Sequence, residues 1–91
     1  MVLFTADISP PGVQNCPADI SVKTTSPNGM RVFWEPPNVL TTNNNDITMI
    51  NSHAPNDMFL IGEQLVIYVF RDTADRVAYC SFKVTVQKKG R

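Results

Sequence analysis

Val77-Ala78-Tyr79-Cys80-Ser81-Phe82-Lys83-Val84-Thr85-Val86-Gln87 is the stretch whose reading decides the fold. Within it Cys80, Phe82, Val84 and Val86 alternate with Tyr79, Ser81, Lys83, Thr85 and Gln87. Successive side chains of a strand point to opposite faces, so this alternation sends the first set into a core and the second outward. Upstream, the run Leu65-Val66-Ile67-Tyr68-Val69-Phe70 is apolar on both faces. Such a run is either a strand covered on both sides or one whose outer face meets a partner. Between the two runs, Asp72-Thr73-Ala74-Asp75-Arg76 reads as a hairpin turn, because Asp tolerates the left-handed conformation that such turns often need.

Outward from this hairpin the chain is densely punctuated: Pro10-Pro11-Gly12, Pro17, Ser26-Pro27-Asn28-Gly29, Pro36-Pro37, Asn43-Asn44-Asn45-Asp46, Ala54-Pro55-Asn56-Asp57 and Gly62. Short runs of β-formers lie between the breaks, and none shows the three- and four-residue spacing of an amphipathic helix. The expected strands are Ile20–Thr24, Met30–Glu35, Ile47–Ser52, Asp57–Leu60, Gln64–Phe70 and Val77–Gln87. Val32 and Trp34 share one face of their strand, with Arg31 and Phe33 on the other. The spacing predicts an all-β fold, an immunoglobulin-like β-sandwich of about seven antiparallel strands. With 91 residues, no internal repeat and no low-complexity linker, one domain is expected over 1–91, its ordered core spanning roughly 10–87.

A domain this short buries only about 60–65% of the surface that its unfolded chain exposes, so stability from burial alone is modest. Eight basic residues balance eight acidic ones, which leaves no field to steer nucleic acid or an anionic membrane. No apolar run approaches the ~20 residues that a membrane-spanning helix needs. Met1-Val2-Leu3-Phe4 is too short for a signal-peptide core and lacks a basic lead, so a natural protein longer on both sides is expected. No Asn-x-Ser/Thr occurs, so N-glycosylation gives no support for secretion.

Two cysteines, Cys16 and Cys80, lie near opposite ends. In a domain with a thin core such a pair suggests a disulfide and an oxidising compartment; two reduced, buried thiols in a cytosolic protein is the other reading. One histidine and two distant cysteines do not make a tetrahedral zinc set, and neither metal nor cofactor is expected. Asp72 and Asp75 suggest calcium at first sight, as does the Asn43–Asp46 run, but both offer fewer oxygen ligands than calcium gathers, and a turn and a solvated loop are expected instead. His53, the only imidazole, has no nucleophile or carboxylate placed beside it by any motif; a structural role in the Ser52–Pro55 turn, bonding backbone, is expected over catalysis. Trp34 is expected in the core, not at a ligand. The Lys88-Lys89-Gly90-Arg91 tail has a glycosaminoglycan-binding reading and a bland one, a solvated exit linker, and the second is adopted.

The ordered set Pro10-Pro11, Asn15-Cys16-Pro17-Ala18-Asp19-Ile20, Val32-x-Trp34-x-x-Pro37, Ser52-His53-Ala54-Pro55, Phe59-x-Ile61-Gly62, Val66-x-Tyr68, Asp72 and Cys80-x-Phe82-x-Val84-x-Val86 resembles the hyalin repeat, or HYR, module along nearly the whole chain. The resemblance implies an extracellular, immunoglobulin-like module with an adhesion role, found in tandem or beside sushi, CUB or EGF modules, without catalysis. It also implies a bond between Cys16, ahead of the first strand, and Cys80 on the last, stapling the two ends together; antibody domains instead bridge their two sheets. Three functions follow: an adhesion or scaffolding module making protein contacts, a specific receptor or ligand-binding module, or an accessory domain of a secreted enzyme. Two departures from the family pattern stand out. Asp75 and Arg76 occupy the Gly-Asn places of the turn, at a strain of order 1 kcal/mol. Outward positions that tend to be polar in the family carry Ile50, Leu65, Ile67 and Val69 here.

Those positions define a candidate protein-interaction face. With Met49, Val66, Tyr68, Phe70 and Cys80 expected inward, Ile50, Leu65, Ile67, Val69 and Tyr79 share the outward side of neighbouring strands. Together they expose on the order of 400–500 Å², the upper end for a monomer. At about 25 cal/mol/Å², covering them is worth up to roughly 10 kcal/mol before association costs, enough for a homodimer or a packed neighbouring module. A loop of the same domain lying over the face is the competing expectation.

Overall fold

The Trp34 indole Nε1 donates a 2.9 Å hydrogen bond to the buried Tyr68 hydroxyl, and this contact joins the two layers of the molecule. A computed structural model describes residues 12–40 and 47–90 of the chain. Its strands are β1 (Gly12–Gln14), β2 (Ile20–Thr24), β3 (Met30–Val32), β4 (Asn38–Leu40), β5 (Ile47–Asn51), β6 (Asp57–Phe59), β7 (Gly62–Asp72) and β8 (Val77–Lys88). No helix occurs among the described residues. One layer is a four-stranded sheet in the order β2-β8-β7-β5; the other is made of two strand pairs, β3-β6 and β1-β4.

The core forms where the inner rows of these layers meet. Val66, Tyr68 and Phe70 of β7 and Cys80, Phe82, Val84 and Val86 of β8 pack on Val32, Trp34 and Phe59, all buried. Trp34 meets Phe59 and Phe82 edge-on, at centroid distances of 5.8 and 5.3 Å, the arrangement that ring quadrupoles favour. Val13 and Val39 extend the core under the β1-β4 pair, and Ile20, Val22, Met30 and Ile47 complete its margins.

The fold is a β-sandwich, with two differences from the expected arrangement. Eight strands are described where about seven were expected, because β1 and β4 are three-residue pairs beside prolines, too short to show a period. The strands are not all antiparallel either: β2 runs parallel to β8, with Ile20 opposite Val84 and Thr24 opposite Lys88. The cause is a crossing at Asn15-Cys16-Pro17, where the chain leaves β1 and its partner β4 for the other layer. Asn15 is left-handed there (φ 61°), and the Asp19 carboxylate accepts the Lys83 amide at 2.9 Å, seating β2 against β8.

Two ends differ as well. The strand expected over Met30–Glu35 pairs only as far as Val32, because the left-handed Asn56 donates its amide to the Val32 carbonyl and closes the ladder. The central hairpin is longer than its apolar run, since β7 and β8 pair from Gly62–Val86 to Arg71–Val77.

Gly29 enters β3 with φ +87° and its α-carbon lies against the Phe59 carbonyl, so a methyl group there would meet backbone on a conformation that L-residues avoid. Gly29→Ala is expected to lose about 2–4 kcal/mol in urea denaturation, the sum of left-handed strain and forced backbone movement. A loss below about 0.5 kcal/mol would show that this approach does not exist in solution.

Candidate interaction surface

The outer face of the four-stranded sheet follows from its register. Ile50 of β5, Val69 of β7 and Tyr79 of β8 are consecutive cross-strand partners and form one row across the sheet. Two residues along β7, Ile67 lies opposite Ser81, and two further on, Leu65 lies opposite Lys83. Tyr79 is 69% exposed, Ile50 60% and Leu65 55%; Ile67 is about one-third exposed and Val69 half-buried between its neighbours. No described loop therefore covers this row. Ion pairs bound it at both ends, Arg71–Asp75 at 3.3 Å and Lys83–Glu63 at 3.8 Å. An apolar centre inside a charged, solvated rim is the anatomy of a protein-binding patch.

Met49 departs from its expected inward burial. It is the partner of Phe70 and so lies on the inner side, but β5 is the last strand of its sheet and no described residue covers that margin, leaving Met49 nearly half exposed. Outside the four-stranded sheet Phe33, Met58, Leu60 and Ile61 are also exposed; the sequence sets Phe33 on the face opposite Val32 and Trp34 but marks none of the four as an interaction surface. The signal for Phe33 was present, since it alternates with the core residues Val32 and Trp34.

Cys16 and Cys80 are bonded, with a Cα–Cα distance of 5.7 Å. Cys16 is exposed in the crossing between β1 and β2, while Cys80 is buried in mid-β8. The bond thus fastens the point where the chain changes layers to the central hairpin.

The hairpin turn is organised by Asp72. One oxygen of this buried carboxylate accepts the amides of Ala74 and Arg76, each at 2.9 Å, and the other accepts Arg76 Nε at 2.9 Å. Burial pushes the Asp72 carboxyl up, but the two amide bonds and the Arg76 guanidinium outweigh it and hold the group below its ordinary value of 3.8. Asp75 takes the left-handed place of the turn (φ 62°) and pairs with Arg71. Among the described residues no three His, Cys, Asp or Glu side chains gather as metal ligands. Asn43–Asp46 lies outside the described residues.

His53 stands beside a hydroxyl, Ser52 Oγ at 2.8 Å from its Nδ1, a contact that resembles half of a catalytic pair. The same hydroxyl accepts the Ile67 amide at 2.9 Å, and the imidazole ring stacks on Phe59 at 5.0 Å. The serine therefore stands in for a ladder acceptor on β5, and the ring packs on the core instead of facing a substrate space. Its polar partner is this side chain, not the backbone that the sequence reading supplied. Trp34 is a core residue, as expected. The basic tail is less free than a linker: Lys88 ends β8 and the Lys89 amide donates to the Thr24 carbonyl at 2.7 Å.

The family model described as HYR domain matches residues 6–86, nearly the whole chain. No curated protein matches. No solved structure matches either.

Two predictions follow from the bonds just described. Replacing both cysteines with serine is expected to cost about 4 kcal/mol, the loop-closure entropy of a 64-residue separation, read as a lower urea midpoint. A midpoint unchanged from that of the oxidised protein would refute the bond's contribution. For Asp72, a native pKa below the unfolded one means that its stabilisation is present above about pH 4 and is lost as pH falls through the native value. Asp72→Asn is expected to lower the melting temperature at neutral pH, and its gap to the wild type is expected to narrow as the pH falls below the ordinary carboxylate range. A constant gap between the two across that range would contradict the assignment.

Proposed function

The chain belongs to the HYR domain family, and from that premise we propose that it is a non-catalytic extracellular module that mediates adhesion or scaffolding contacts between proteins. On this reading the chain is one domain of a larger multidomain protein, beside sushi, CUB, EGF or further HYR modules, the setting that the family implies. The observation that carries this reading is the outer face of the four-stranded sheet, where Ile50, Val69 and Tyr79 form a row with Ile67 and Leu65 alongside. Apolar side chains in mid-sheet, framed by ion pairs, suit a partner that covers them. Tyr79 is the natural anchor, a broad side chain with a polar tip that orders at low entropic cost.

Two further observations support the assignment. The Cys16–Cys80 bond fits an oxidising compartment. The Ser52–His53 contact is committed to the ladder and the core, with no orienting carboxylate bonded to it among the described residues.

The experiment uses beads coated with the domain and scored for attachment to cells and to cell-derived extracellular matrix. Wild-type beads are expected to attach, and beads carrying Ile67→Lys or Tyr79→Asp are expected to lose most of that attachment. Both variants should melt within about 3 °C of the wild type, because Tyr79 is largely solvated and a lysine at the partly exposed position 67 can lay its stem along the sheet and keep its ammonium in water. Attachment that is insensitive to both substitutions would remove this face from the proposal. A drop of several kcal/mol in Ile67→Lys would mean that the face is buried within the chain, as an unpaired buried charge demands.

A further inference from the structure

We infer that β5 is a self-pairing edge through which two copies of this chain join their four-stranded sheets into one. The inference begins with the direction of the backbone groups. The Ser52 amide donates to the Ile67 carbonyl, so Ser52 turns its polar backbone toward β7. Backbone groups alternate sides along a strand, so Ile50 and Thr48 also turn toward β7, opposite Val69 and Arg71. Ile47, Met49 and Asn51 therefore turn their N–H and C=O groups away from it, and among the described residues β5 pairs with no other strand.

Natural edges are usually blunted by lysine, proline, a bulge or an inward charge. The opposite edge of this sheet follows that rule: β2 carries Lys23 among its five residues. β5, Ile47-Thr48-Met49-Ile50-Asn51, carries no charge and no proline. It also exposes an apolar side chain on each side of the sheet, Met49 inward and Ile50 outward.

The occupant that fits is another β5. Antiparallel pairing centred on Met49 places Met49 opposite its own copy, Thr48 opposite Ile50 and Ile47 opposite Asn51. In that register all three outward-turned residues fall into hydrogen-bonded pairs, Ile47 with Asn51 and Met49 with Met49, and the two half-exposed Met49 side chains cover each other. The arrangement is isologous and closes at two copies, since pairing uses the same β5 edge of both chains. Pairing β5 with the β2 edge of another copy would propagate without closing and would set Lys23 against apolar neighbours. Two five-residue strands bury well under the ~1,600 Å² of a standard interface, so the dimer is weak and gains strength where several modules are held close together.

This goes beyond the adhesive reading of the sheet face, because the edge and the face are different surfaces and separate substitutions address them. Sedimentation velocity of the 91-residue chain is expected to show reversible growth from one copy toward two as concentration rises toward about 500 µM, as a small interface requires. Met49→Pro removes an amide that points away from β7, so it should abolish the dimer and leave the melting temperature within a few degrees. Ile67→Lys should leave the dimer intact. Met49→Cys should cross-link to its copy under mild oxidation, because hydrogen-bonded partners sit with Cα atoms about 5.5 Å apart, within disulfide reach. Thr48→Cys should not. A chain that stays monomeric and fails to cross-link through Met49→Cys overturns the inference and leaves the adhesive face untouched. A dimer that survives Met49→Pro but is lost in Ile67→Lys also overturns it, because the faces would then be what associates.

Discussion

A tryptophan N–H and a tyrosine O–H are costly to bury unpaired, and in this protein each satisfies the other across the gap between two sheets. For Trp34 Nε1 to reach Tyr68 Oη, the β3 end of one layer must lie over the middle of β7 in the other. Around that contact Phe59, Phe82 and Phe70 take up ring positions that leave no sliding register. The other fixed points serve the same end: Asp72 closes the hairpin that carries Tyr68, and the Cys16–Cys80 bond joins that hairpin to the chain's crossing point.

What the sequence made legible was what is periodic or chemically singular. The alternation from Cys80 to Gln87 contains the inner and outer rows of β8, and β2 was readable because Ile20, Val22 and Thr24 alternate with Ser21 and Lys23 between Asp19 and Ser26. The turn at Asp72 was recognisable from a residue type that tolerates positive φ, and the structure shows that Asp75 is the residue that uses it. β1 and β4 were not legible, because three residues beside proline show no period and only their pairing makes them strands. Parallel pairing of β2 with β8 is likewise a property of where the chain crosses layers, which depends on one left-handed asparagine and one aspartate–amide bond.

The candidate site divides along the same line. Which residues of β5, β7 and β8 lie outward could be read from alternation, because a one-residue slip would expose the whole aromatic core. How far each is exposed could not. Val69 is half-buried because Ile50 and Tyr79 flank it in the register, and Met49 is half-exposed because its strand comes last in the sheet. Strand order arises from pairings far apart in sequence, and β5 reaches its place only through β7. Phe33 shows the same limit from the other layer: its alternation with Val32 and Trp34 was visible, but its 74% exposure follows from β3 leaving its ladder at Val32.

The two edges of the four-stranded sheet differ for a reason rooted in that strand order. β2 lies beside the chain's last strand, and its margin carries Lys23 with Lys88 and Lys89 close by, so solvation of charge competes with any incoming strand. β5 lies beside β7, whose outer row is apolar, and a charged β5 would set a charge against Val69 and the Ile67–Ser52 contact. Uncharged side chains on β5 therefore favour the face and at the same time leave the edge able to pair. The proposed contacts at the face and at the edge are each small, and their strength grows where copies are held close together, because a second contact then forms within one assembly.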